Sequence, residues 1–442
     1  MVVSTSSRRS RGAACRRNSS PCGSRASPPI PQPATRAKTT VPAPSVVRGT
    51  PFHKRTGPLC QAGNWRRWAG HLSAGSYEPT HEHEYQAIRS ACALIDVSPL
   101  YKYRLSGPGA AALANRVVTR DVDRQDVGQV YYTPWCDAAG KVRDDGTLHR
   151  LGASDFRLTS AEPTLKWLHE NARGLDVTIE EETERVAALA LQGPRSRDLL
   201  KRITDGDVAG LGYFRVMPAR IAGIAAEVSR TGYTGDLGYE IWVGAADAIP
   251  LWDALTAAGE PFGLAPAGML ALDMARLEAG LLLVDVDFIP AHRAIIEDQK
   301  SSPYELGLGW TVSLEASNFV GRAALRAERA RPPAWRFRGI ALDWESLEAA
   351  YAVVGLPPQL PGTTLRSSVP LYAGGRQVGY ATSRGWSPTL KTYLGLAHLE
   401  AESATVGTEL EIEVTVEHRR RRARATVEKT PFFDPDRKRA TP

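Results

Sequence analysis

Residues Arg230–Val243 read RTGYTGDLGYEIWV, and this stretch decides how the surrounding chain is organised. Glycines at 232, 235 and 238 punctuate its first half as a turn, because glycine adopts turn conformations that other residues resist. Tyr239–Val243 then runs on as an aromatic and β-branched strand, and Ile224–Ser229 before the turn supplies its partner. Working outward, Val186–Leu191, Phe156–Thr159, Lys141–Leu151, Val130–Thr133 and Tyr101–Leu105 are predicted strands. Helices are predicted at Thr80–Ala93 with Thr80 as its cap, at Ala110–Val118 after the turn Ser106–Gly109, at Pro163–Arg173 and at Ile249–Ala258. Strands and helices are segregated rather than strictly alternating, so the body is α+β.

The composition shifts near Arg329–Trp335 (RARPPAW). Beyond it, Arg338–Asp343, Val369–Tyr372, Arg376–Thr382, Tyr393–His398 and Glu409–Thr426 are short strands separated by Gly and Pro, the spacing of an all-β sandwich or barrel. The chain therefore divides into a basic tail at 1–45, an α+β region of two subdomains at 46–330, an all-β domain at 336–433 and a short tail at 434–442. The run Arg419–Arg424 (RRRRAR) reads as an exposed strand whose charged edge discourages sheet association.

Of 442 residues, 43% are hydrophobic and 23% charged, ordinary for a globular protein, and no apolar run approaches the roughly 20 residues that span a bilayer. The net charge of +7 is concentrated in residues 1–77, which hold no acid and leave residues 78–442 at −6. Nucleic-acid binding by the body therefore lacks electrostatic support, and no membrane association is expected. Residues 1–45 lack a periodic apolar pattern and are expected to be disordered or a non-native extension. Their Arg- and Ser-rich composition also suits a mitochondrial transit peptide, the alternative to a cytoplasmic location. Five scattered cysteines form neither a disulfide framework nor a zinc pattern, which points to a reducing compartment.

Chemistry-bearing motifs are few. His81 and His83, two apart, diverge by about 200° on a helix and cannot share a metal, so no metal site is expected. P-loop, GxGxxG and GxSxG patterns are absent. Two carboxylates stand out. Asp145, in KVRDDGT, is either functional or part of an Asp-Gly hairpin turn; Glu240 is either functional or a solvated residue at a strand start.

RTGYTGDLGYEIWV resembles the characteristic run of the aminomethyltransferase family, the T-protein of the glycine cleavage system and its demethylase relatives, with Asp236 where that family has Glu. Further resemblances follow in order: Asp96-Val97-Ser98, Thr119–Val122 (TRDV), Gly128-Gln129 through Asp144-Asp145, Ala190–Pro194 (ALQGP), Arg276–Gly280 (RLEAG), Phe319–Arg322, Ser387–Leu390 (SPTL), Gly407-Thr408 and Pro431-Phe432. The similarity runs from about Trp65 to Phe433. It implies a three-domain cloverleaf around a central folate channel, closed by a C-terminal β-barrel, with tetrahydrofolate as cofactor. Asp145 takes the position of the family's carboxylate beside the folate reaction centre and Glu240 that of its pterin anchor. Tyr233, Tyr239, Ser160 and Tyr77 join Glu240 as expected cofactor-binding residues, whereas Trp242 reads as core packing.

The sequence departs from true T-proteins at Pro99-Leu100, where His-Met is usual, at Leu272, where a positive charge is usual, at Ser160 in place of Asn, and at Leu283–Phe288 (LVDVDF). These changes bear on the one-carbon donor rather than on the cofactor. The expected activity is aminomethyltransferase-like one-carbon transfer to tetrahydrofolate, from an aminomethyl group that a lipoylated carrier protein can present. The alternative is tetrahydrofolate-dependent demethylation of a small O-, N- or S-methyl compound. A non-catalytic folate binder is the reading from another class, and the absence of Cys from Arg230–Glu240 argues against it.

Overall fold

The computed structural model describes residues 47–315 and 318–440; the expectations for residues 1–45 lie outside the described residues. The predicted α+β organisation is present, with a closed barrel at the C-terminal end. A seven-stranded sheet runs in the order Thr204–Asp205, Val216–Ile221, Ile224–Ser229, Gly238–Gly244, Val186–Gln192, Cys92–Asp96, Leu264–Pro266. Ile224–Ser229 and Gly238–Gly244 pair antiparallel, with Ser229 opposite Glu240. The expected helix at Thr80–Ala93 is shorter, Glu82–Ser90, and His81 rather than Thr80 precedes it. Cys92–Asp96 is a strand instead. Its apolar run has no helical or alternating signature because both faces of the sheet are covered.

Alternation along Gly238–Gly244 sorts its side chains. Tyr239, Ile241 and Val243 enter a core with Leu199, Leu200, Leu251 and Leu255 from helices Ser196–Ile203 and Ala248–Gly259. Trp242 enters the opposite core with Ile88, Ala271 and Met274 from helices Glu82–Ser90 and Met269–Glu278. Glu240 shares the Trp242 face, since successive side chains of a strand point to opposite sides.

Between Cys92–Asp96 and Val186–Gln192 the chain makes a second, five-stranded sheet ordered Val130–Cys136, Val142–Gly152, Asp155–Ser160, Tyr101–Ser106, Thr178–Glu181. Arg157 ties the two sheets together, donating to Glu182 and to Glu227. Asp145-Gly146 is not a hairpin turn: it lies within the long strand Val142–Gly152. Glycine is required there by its neighbour, because a Cβ at Gly146 would stand 1.9 Å from the Thr159 carbonyl oxygen.

Six strands close the barrel in the order Trp335–Leu342, Thr392–Glu400, Arg376–Ser387, Val369–Ala373, Glu409–Val416, Arg419–Glu428. The stretch predicted as Glu409–Thr426 is thus a hairpin. Closure also removes the edge on which the arginine run was expected. Ala423, Ala425 and Val427 point into the barrel core. Of the intervening arginines, Arg422 pairs with Glu411 and covers the Tyr372 ring, and Arg424 pairs with Asp343.

The segment expected as a C-terminal tail is docked. Arg437 donates twice to the buried carboxylate of Asp236, at 2.7 and 2.8 Å, and Arg230 donates to the carbonyls of Arg437, Lys438 and Ala440. Among the described residues no helix is long and apolar enough to cross a membrane, and no three His, Cys, Asp or Glu are grouped to hold a metal ion. Cys60, Cys92 and Cys136 are free thiols.

Candidate active site

The turn at 231–238 owes its shape to Gln192 of the ALQGP segment. The Gln192 amide donates to the carbonyls of Thr231 and Tyr239 and accepts from the Thr234 hydroxyl. Its side chain fills the space where a Cβ at Gly232 or Gly238 would sit, 2.1 and 2.2 Å away. Two motifs far apart in sequence are therefore one packing unit, which presents Tyr233 at its tip and Glu240 at its exit.

Glu240 accepts a 2.5 Å hydrogen bond from the Thr231 hydroxyl at Oε2, and Thr231 in turn meets the Ser229 hydroxyl at 2.7 Å. Among the described residues no hydrogen-bond donor reaches its Oε1. Burial raises the proton affinity of Glu240, and the Thr231 bond opposes that rise. The Ser229 hydroxyl also accepts from the Trp242 indole at 3.3 Å, and Trp242 meets His149 edge-on at 5.4 Å. Burial lowers the His149 pKa to about 3, so this ring is neutral.

That ring contact joins the two sheets. Asp145 and Thr147 share the face of His149 on Val142–Gly152, so the Asp145 row looks toward the face that carries Glu240 and Trp242. Asp145 stands about 13 Å along the strand from His149, four residues at about 3.3 Å each. The two carboxylates are therefore well separated along the sheet.

Asp145 accepts a 2.7 Å hydrogen bond from the Tyr132 hydroxyl at Oδ2. Burial raises its pKa to about 6, with the Tyr132 bond acting in the opposite direction. Asp144 has a different role. Its side chain is buried and accepts from the backbone N–H groups of Asp145 and Glu162, and its proton affinity is raised first by burial and then by the Asp145 charge. Tyr233 donates to the Leu282 carbonyl, and its own ionisation is suppressed by burial and by the nearby Asp145 charge. Asp145, Tyr132, Tyr233 and Glu240 all retain some accessible surface.

The other expected residues have partners of their own. Tyr239 is fully buried on the opposite face of its strand from Glu240, where Arg197 donates to its hydroxyl. Ser160 is buried and donates to the Glu162 carbonyl, closing the turn that Asp144 holds. Tyr77 lies against Thr56, Ser73 and Asp96 around a void of about 10 Å³, room for one water at most. Two residues were missed. Tyr132 orients Asp145, and Trp310, 64% exposed, stacks on Tyr132 with ring centroids 6.2 Å apart. The short hairpin that returns the chain from Tyr132-Thr133 to Asp144-Asp145 is the signal that pointed to Tyr132. Trp310 carried none, being a lone aromatic nearly 180 residues away.

The GCVT N-terminal domain family matches residues 52–316, and the glycine cleavage T-protein C-terminal barrel domain matches residues 352–434. An aminomethyltransferase of Moorella thermoacetica is 35% identical over 360 residues, which cover 79% of this chain and 88% of that protein. A trimethylamine-oxide aldolase of Ruegeria pomeroyi is 33% identical over 410 residues, 90% of this chain but 48% of that protein, so the chain spans about half of that relative's length. The fold matches that of the glycine cleavage system aminomethyltransferase T from Bartonella henselae, with a TM-score of 0.72 and 21% identity over 88% of this chain and 98% of that one. The chain belongs to the glycine cleavage T-protein family of aminomethyltransferases and is a one-carbon transferase that works with tetrahydrofolate.

Proposed function

We propose that the protein moves a one-carbon unit from a small methylated donor to tetrahydrofolate, with Asp145 as the acid–base group and Glu240 as the pterin anchor. The observation that carries this reading is the pair of carboxylates, each held through one oxygen by a protein hydroxyl, Tyr132 on Asp145 and Thr231 on Glu240. A pterin edge offers adjacent N–H and amine donors, and Glu240 has the acceptors to match them. Charge-assisted bonds of this kind contribute roughly 1.5–3 kcal/mol each. Tetrahydrofolate, when bound, supplies the secondary amine nitrogen that takes up the one-carbon unit.

Asp145 holds and releases a proton at Oδ1 while Tyr132 fixes the carboxylate through Oδ2. A pKa of about 6 keeps Asp145 mostly ionised at neutral pH yet basic enough to take a proton, the condition for efficient general base catalysis. Tyr233, anchored through its hydroxyl to the Leu282 carbonyl, offers a ring face rather than a proton. The loop Ser160–Pro163 is tied to Asp144 through the Glu162 backbone N–H, which fixes the chain next to Asp145.

The departures at Pro99, Leu100 and Leu272 favour a small donor, as does the similarity to the trimethylamine-oxide aldolase over nine-tenths of the chain. Leu272 is buried in the core beside Met274 and presents no charge. Transfer of an aminomethyl group from a lipoylated carrier protein is the second reading, favoured by the 35% identity to the Moorella thermoacetica aminomethyltransferase. Incubation with tetrahydrofolate and a panel of methylated amines, ethers and sulfonium compounds, set beside aminomethyl-lipoyl carrier, tests both. Methylated or methylene folate from a small donor is the expected outcome; product from the carrier alone selects the second reading, and product from neither overturns the one-carbon assignment of Asp145.

A further inference from the structure

The inward-facing row of a small barrel strand is normally apolar, because side chains fill the interior. Ile340 and Leu342 follow this rule on Trp335–Leu342 and lie in the barrel core. Arg336 and Arg338 occupy the same row, opposite Leu399 and Ala397, which are core residues too. Two guanidinium groups thus stand where the pattern calls for hydrocarbon. They avoid burial in the core because the strand overhangs: its pairing with Arg419–Glu428 begins only at Gly339. One side of the overhang opens into a recess of about 510 Å³ at the barrel mouth, lined by both arginines, Lys429, Ala401, Ala404 and Val406.

The charges in this recess are uncompensated. Arg338 is fixed by hydrogen bonds of 3.1 Å to the carbonyls of Ala404 and Phe337, and carries no carboxylate partner. Arg336 and Lys429 have neither a carboxylate nor a hydrogen-bond partner among the described residues. The carboxylate nearest in register, Glu400 opposite Trp335, pairs with Arg376 instead. Burial, and then the Arg336 charge, both disfavour the charged form of Arg338. Like charges held together in a half-buried recess repel one another unless an anion joins them. Since residues 78–442 carry a net charge of −6, the attraction is local to this cleft rather than a property of the surface.

We propose that the barrel mouth is an oxyanion-binding site, sharing no residue with the folate site, that takes a phosphate or carboxylate group carried on a small, partly apolar body. Planar guanidinium groups match the paired oxygens of either group, Lys429 adds a third charge, and Ala401, Ala404 and Val406 supply the apolar wall. The volume falls within the usual range for small-molecule sites.

Calorimetric titration of the full chain with inorganic pyrophosphate and with citrate, at low and high salt, tests this. Saturable one-to-one binding of at least one probe is expected, weakened by salt. Binding of pyrophosphate alone assigns the site to phosphate esters, and binding of citrate alone assigns it to polycarboxylates. The double variant Arg336→Gln/Arg338→Gln should weaken binding about tenfold or more, and Lys429→Gln, at an exposed position, about threefold, each with folate affinity unchanged. Arg420→Gln, on the outer face of the barrel, should leave it unaltered. Failure of both probes to saturate at millimolar concentration, or equal binding by the double variant and by Lys429→Gln, overturns the proposal.

Discussion

At the residue scale the proposed site gives two carboxylates different tasks, each open to test. Asp145→Asn keeps the shape and removes the base, so turnover should vanish while folate affinity stays within a few-fold, as single-turnover assays and equilibrium titration will show. Glu240→Gln should do the reverse: folate binding weakens by about one to two decades, the cost of one charge-assisted bond, while the chemical step at saturating folate changes little. Tyr132→Phe tests the orienting bond. That bond favours ionised Asp145, so its loss raises the Asp145 pKa further above about 6. The acidic limb of the kcat profile should therefore move to higher pH, and an unmoved limb would separate Asp145 from the titrating group. Asp145 and Glu240 are proposed from the sequence because each sits in a run of residues with fixed spacing. Tyr239, expected beside the cofactor, faces the opposite core, because a strand alternates and a neighbour of Glu240 points away from whatever Glu240 faces.

At the scale of elements, the turn 231–238 is held from two sides. Gln192 plugs it from the sheet, and Arg437 grips Asp236 from the C-terminal segment. Arg89 adds a third hold, donating to Glu278 and to the Thr234 carbonyl. Truncation after Phe433 removes Arg437 and leaves Asp236 buried with its charge only partly met. A loss of about 2–4 kcal/mol is expected, read as a lower midpoint in urea, with Arg437→Lys recovering only part of it. Unchanged stability would mean that the C-terminal segment does not brace the turn. This docking was not legible, because Asp236 and Arg437 are about 200 residues apart and nothing local marks either as a partner. The strand Cys92–Asp96 was hidden differently: when both faces of a strand are covered, the alternation that reveals strands disappears.

For the whole molecule, the burial of Asp145 has an energetic signature. A carboxylate whose folded pKa lies above its unfolded value destabilises the folded state once ionised. For Asp145, about 6 when folded against about 3.9 when unfolded, this cost is absent below about pH 4, grows between pH 4 and 6, and is complete above. Asp145→Asn should accordingly stabilise the fold at neutral pH by about 3 kcal/mol, read as a higher melting temperature, with the difference fading toward pH 4. An equal or lower melting temperature for the variant at neutral pH would show that Asp145 is not strained by its surroundings. The sequence alone determined the α+β body, the barrel and the family, because these rest on periodicity and on motifs that are local in the chain. Only the tertiary structure decided that the five-stranded sheet is inserted between strands of the seven-stranded one, that Tyr239 points to the face opposite Glu240, and that Tyr132 hydrogen-bonds Asp145. Those outcomes depend on which faces meet across sheets distant in sequence, and neither spacing nor composition encodes that.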